Sequence, residues 1–131
     1  MCSSDLLCFA TISAFVQVLN AEMVAKHKAP VGVLGRALPG SQVAWVLTPR
    51  VKSTSQDQRQ PFGTLLGHVI AHEIGHLLLP TGSHTRTGLM AAAMDLREMS
   101  RRGLRFDVEH GDLIRARLLA GFPAARVTST R

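Results

Sequence analysis

His72-Glu73-Ile74-Gly75-His76 places two imidazoles four residues apart, with a carboxylate beside the first, inside an apolar run from Leu65 to Leu79. On an α-helix, residues four apart lie about 40° from each other around the axis and one turn up. Both rings can then reach one metal ion from the same face. Glu73 stands next to them, placed to take a proton from a zinc-activated water. Those parts, in that spacing, point to zinc-dependent hydrolysis of peptide bonds. A pattern this short also arises by chance. The flanks argue against accident, because Val69, Ile70, Ala71, Ile74, Leu77, Leu78 and Leu79 are all apolar. Imidazole and carboxylate groups are costly to bury in such surroundings unless they are paired or metal-bound.

A catalytic zinc takes three protein ligands and leaves one position for water. His84 follows His76 by eight residues, behind Pro80-Thr81-Gly82-Ser83, a turn that can fold it back beneath the helix. Two carboxylates compete for the same role, Asp95 and Glu98 on the helix expected next. Glu98 is equally placed to pair with Arg101 or Arg102. His84 itself, between Ser83 and Thr85-Arg86, also suits an ordinary loop histidine. His68 extends the stripe one turn earlier, but His68 and His76 are about 12 Å apart along a helix axis, too far to share an ion. It is expected to line the cleft or pack against the sheet. Cys2 and Cys8 are the only cysteines. They exclude a disulfide framework or a cysteine zinc ribbon, and they read better as small, partly buried thiols than as an inhibitory fourth ligand.

The run from His72 to Leu79, then His84, then Gly88-Leu89-Met90, resembles the metzincin metallopeptidases. Their motif is H-E-x-x-H-x-x-G-x-x-H followed by a tight turn containing Met beneath the zinc. The resemblance covers residues 65–90 and little else. It implies a small zincin-like domain with Zn2+ held by His72, His76 and His84. It also implies Glu73 as general base, Met90 in the Met-turn, and a peptide or protein substrate lying along an edge strand. The chain departs from the pattern at Leu79, where the family has Gly, and His84 arrives two residues late. The helix is therefore expected to run longer, with Pro80 and Gly82 making the turn. Some metzincins add a Tyr near the Met-turn. This chain has no Tyr, and Arg86 is the candidate substitute.

Several elements must position these residues. Phe9, Ile12, Phe15, Val16, Leu19 and Met23 recur at three and four, which predicts a helix from Leu6 to about Lys28, stopped by Pro30. A leader segment is the weaker reading, since Asp5 stands where a positive residue belongs. The chain also reads as a fragment missing upstream strands. Val31 to Gly40 is expected to be a loop with a short extended piece. Gln42 to Thr48 reads as a strand, ended by Pro49 or lying at a sheet edge, and forming the upper rim of the cleft. Trp45 on it is expected in the core, and Lys52 to Gln60 in a surface loop. Thr64 is the expected N-cap of the motif helix, which Pro80 ends. Helices from Ala91 to about Arg102 and from Asp107, as N-cap, to about Ala120 complete the chain. The expected architecture is one α+β domain over residues 1–131: an active-site helix on a short sheet, followed by C-terminal helices.

Composition sets the outer limits. A chain of 131 residues with 46% apolar content supports one small core. Its formal charge is +6, with the excess in Arg97, Arg101, Arg102, Arg105, Arg115, Arg117, Arg126 and Arg131. Asp95, Glu98, Asp107, Glu109 and Asp112 are interspersed, and Phe106 and Phe122 are the only aromatic residues among the arginines, too few for a base-stacking series. That pattern suits a solvated surface better than a nucleic-acid interface. The apolar stretch from Leu6 to Leu19 is too short to span a bilayer. Compartment, oligomeric state and substrate identity are not encoded in any motif. Two other function classes stand beside the peptidase: a zinc-binding module without catalysis, and a basic helical interaction protein with a chance motif.

Overall fold

Three short stretches rich in β-branched and small residues pair into one sheet, and five helices surround it, in the computed structural model, which describes residues 13–121 apart from Pro39. In chain order the elements are β1 (Phe15–Leu19), α1 (Ala21–Lys26), β2 (Gly35–Leu38), β3 (Val43–Leu47), α2 (Thr48–Asp57), α3 (Phe62–Leu78), α4 (Leu96–Arg102) and α5 (Val108–Ala120). The fold class is α+β. The sheet order is β1-β3-β2. β1 runs parallel to β3, with Phe15 opposite Val43 and Leu19 opposite Leu47. β2 runs antiparallel to β3, with Gly35 opposite Val46 and Leu38 opposite Val43.

β3 supplies Ala44, Val46 and Leu47 to the core, all fully buried. Val46 joins Val51 of α2, Leu65 and Val69 of α3, Met99 of α4, and Leu89 and Leu104 in one cluster. Alternation along the strand turns Trp45 away from Ala44 and Val46. Its indole N–H donates to the Gln17 side chain at 2.9 Å, and His27 stacks on it with ring centroids 4.5 Å apart. Trp45 is thus half-buried, on the strand face opposite Ala44 and Val46.

The structure corrects several expectations. Where a helix was expected up to Lys28, Phe15–Leu19 forms a strand. Phe15, Val16 and Val18 are strand formers, and pairing with β3 outweighs the three-and-four spacing. The helix begins only after Asn20, whose side chain accepts the Met23 N–H at 2.9 Å. The expectations that fall on residues 1–12, Cys2 and Cys8 among them, lie outside the described residues. β3 is the central strand, so the free rim beside the cleft is β2. Residues 52–57, expected in a loop, belong to α2, which buries Val51 and Ser55 one turn apart. Pro49 sits in its first turn, where no backbone donor is needed. α3 starts at Phe62 with Pro61 as its cap, so Thr64 lies inside the helix. α4 starts at Leu96 and not at Ala91, because the Asp95 carboxylate accepts the N–H groups of Arg97 and Glu98 at 2.9 and 3.0 Å. Asp107 caps α5 as expected, accepting the His110 N–H at 2.7 Å. No helix among the described residues is long and apolar enough to cross a membrane.

Candidate metal centre

α3 carries His72 and His76 on one face, and the chain turns back after Leu79 to bring His84 against them. Nε2 of His76 lies 3.0 Å from Nε2 of His72 and 3.0 Å from Nε2 of His84. One ligand atom from each of the three rings falls within 4.8 Å of the others, close enough to hold a metal ion. Nitrogens bound at 2.0–2.1 Å in tetrahedral geometry stand about 3.3 Å apart, so the donor set fits such an ion. His72 Nδ1–H donates to the Leu89 carbonyl at 2.7 Å. That bond fixes the tautomer and leaves Nε2 free as a ligand.

Burial favours the neutral form of His72 and His76. Burial pushes His72 below its ordinary value, although the Leu89 carbonyl opposes the shift. Burial, with the facing His72 and His84, pushes His76 down to about 4. Neutral imidazole is the form that binds a metal.

Glu73 is 6% exposed, and burial raises its carboxyl to about 7, against which the Ala37 backbone N–H donates to it. β2 holds this side chain closely. A Cβ on Gly35 would lie 2.7 Å from both Cγ and Oε1 of Glu73. Glycine at 35 is what lets the strand pass over the carboxylate.

The far side of α3 is supported by Met90, which is 1% exposed. A Cβ on Gly75 would meet Met90 Sδ at 2.5 Å and Phe106 at 2.9 Å, so this glycine inside the motif admits both side chains against the helix. Met90 sits in a tight turn. Ala91 N–H donates to the Gly88 carbonyl at 3.3 Å, and Thr85 N–H to the Met90 carbonyl at 3.0 Å. Gly88 has φ 85° and approaches the Arg105 carbonyl, where a Cβ would lie at 2.9 Å.

A cleft of about 600 Å³ opens above the three histidines and Glu73, between β2 and residues 91–96. Leu34, Met94 and Leu96 form a half-buried apolar wall along it, with Val69 at its base. Leu47 N–H donates to the Leu34 carbonyl at 2.9 Å, so Leu34, Arg36 and Leu38 point their backbone groups at β3. The alternate residues Gly35 and Ala37 point theirs outward. No described strand covers that outer edge.

The other candidates lie elsewhere. Asp95 is occupied as a helix cap, and Glu98 pairs with the Arg102 guanidinium at 2.7 and 3.1 Å. Neither belongs to the three-histidine group. His68 neither lines the cleft nor binds with the others. Its Nδ1–H donates to the Thr64 carbonyl at 2.7 Å and its Nε2 accepts the Leu104 N–H at 3.0 Å, which ties α3 to the chain after α4. Arg86 is exposed and is not among the residues that line the cleft. Three contributors were not foreseen: Gly35, the Ala37 amide and the Leu89 carbonyl. Two are backbone groups that no side-chain pattern announces, and Gly35 read as loop punctuation. Compared with known proteins, the chain matches no family model, no curated protein and no solved structure.

Proposed function

We propose that this chain is a zinc-dependent peptidase of metzincin type, in which His72, His76 and His84 hold one Zn2+ and Glu73 is the general base. The observation that carries this reading is the meeting of three imidazole nitrogens beside a buried carboxylate at the floor of an open cleft. Three nitrogen donors with no thiolate suit zinc and leave room for a fourth partner. When bound, the ion would polarise the scissile carbonyl and make a water nucleophilic near neutral pH. Glu73 would accept the proton of the attacking water and pass it to the departing amine, so that the C–N bond breaks without a charged leaving group. The outward N–H and C=O groups of Gly35 and the outward C=O of Ala37 would pair with the main chain of an extended substrate. The apolar wall of Leu34, Met94 and Leu96 would favour a substrate with an uncharged, apolar side chain beside the scissile bond.

A zinc-binding module without hydrolysis is the second reading. The exposure of His84 and the lack of any tyrosine donor favour it. One experiment separates the two. Zinc-loaded protein is incubated with a peptide library and the products are read by mass spectrometry, beside the Glu73→Gln variant. The peptidase reading expects cleavage by the parent and a loss of about 10²–10⁴-fold in the variant, with zinc retained. Equal cleavage by both proteins would remove Glu73 from its role. Full zinc loading with no cleavage by the parent would favour the binding module.

A further inference from the structure

We infer that Arg50 is a positioning residue for the cleft, whose guanidinium gathers the loop before β2 and thereby sets where that strand lies over Glu73. Arg50 Nη2 donates to the Ala29 carbonyl at 3.2 Å, and Nη1 donates to the Val33 carbonyl at 3.0 Å and to the Pro30 carbonyl. One rigid fork thus takes up three carbonyls within five residues of chain, a geometry that lysine's single ammonium reproduces poorly. No described carboxylate forms an ion pair with it.

The other backbone ties of the loop are at its ends, where Ala29 N–H donates to the Val24 carbonyl at 3.5 Å and the Leu34 carbonyl accepts from Leu47 N–H at 2.9 Å. Residues 29–34 contain neither helix nor strand. Gly32 takes φ 81°, and Val31 is 97% exposed. Arg50, by contrast, stands on a firm base, because its neighbour Val51 is fully buried in the core. The loop leads directly into Gly35, which packs on Glu73, and then to Ala37, which donates to the Glu73 carboxylate. Gly32, Val33 and Leu34 also line the cleft. Order therefore passes from α2 through Arg50 to the loop, and from the loop to the strand above the general base. The Arg50 guanidinium hydrogen-bonds to the Ala29, Pro30 and Val33 carbonyls and not to the histidines or Glu73.

The kinetic consequence rests on the peptidase reading, but the structural one does not. Full-length Arg50→Gln and Arg50→Lys are compared with the parent, each zinc-loaded, by residue-resolved amide hydrogen exchange. The expected result is an Ala37 amide that exchanges at least about tenfold faster in Arg50→Gln, the loss of roughly one charged hydrogen bond. Arg50→Lys should fall between, and α3 protection and zinc content should be unchanged in both. On a peptide that the parent cleaves, KM should rise by a larger factor than kcat falls. Unaltered Ala37 exchange in both variants would overturn the inference, whether or not the chain cleaves peptides. Loss of α3 protection or of zinc together with the β2 change would also overturn it, since Arg50 would then serve the fold at large. Should Arg50→Gln fail to fold, Arg50→Lys decides alone by the same reading.

Discussion

Glu73 is buried between the Gly35 backbone and the Ala37 amide, and its carboxyl is raised from 4.5 to about 7. Folding thus favours its protonated form. In the metal-free protein, the stability this group contributes is fully present below pH 4.5 and is lost as the pH rises through about 7. Glu73→Gln keeps the shape and removes the charge. Thermal melts of metal-free parent and variant should therefore nearly coincide at pH 4 and separate at pH 8, with the variant higher by several degrees. A parent that melts above the variant at pH 8 would show that the carboxylate is stabilised, not strained, by its surroundings. At this scale the sequence was highly legible. His72, Glu73, His76 and His84 announce themselves because their chemistry resides in their side chains. The Ala37 amide and the Leu89 carbonyl act through the backbone, which every residue carries, so no residue type marks them.

α3 and β2 meet at Gly35, and the fit of these two elements sets the geometry of the site. Gly35→Ala would drive a methyl into Glu73 and shift the carboxylate or the strand. On the proposed peptidase activity, kcat/KM should fall by about 10²-fold, the usual result of misplacing a reacting group, while zinc content stays at the parent value. α4 offers a contrasting test. Asp95→Ala removes the cap of that helix and should lower stability by about 1 kcal/mol in urea unfolding, with zinc affinity unchanged. A marked loss of zinc on Asp95→Ala would restore the carboxylate as a ligand. Element boundaries were only partly readable. α3 was plain from its long apolar run, and Asp107 marked the start of α5. β1 reads as helix because Phe15, Val16 and Leu19 follow helical and not alternating spacing, and only pairing with β3 makes it a strand. α2 was hidden by its polar surface, since Val51 and Ser55 are its only buried residues.

Across the whole molecule, one small core supports both the sheet and the three-histidine group. Leu65 is fully buried in α3 against Val46 and Val51, two turns before His72. Leu65→Ala should lower unfolding free energy by about 2–5 kcal/mol, measured by denaturant titration, and so weaken the helix that carries His72 and His76. Zinc should act in the opposite sense. Binding to the folded state alone adds about 4 kcal/mol at a thousandfold excess over Kd, so a chelator should lower the melting temperature of the parent and leave that of His76→Ala unchanged. The late arginines engage local acidic residues at least in part: Arg102 pairs with Glu98, and Arg115 with Asp112. The proposed chemistry requires His72, His76 and His84 to bind one ion together. Zinc K-edge X-ray absorption on the loaded chain tests this most directly. The predicted result is one zinc per chain with three imidazole nitrogens at about 2.0–2.1 Å. A chain that takes up no stoichiometric zinc, or a shell with fewer than three imidazoles, would contradict it.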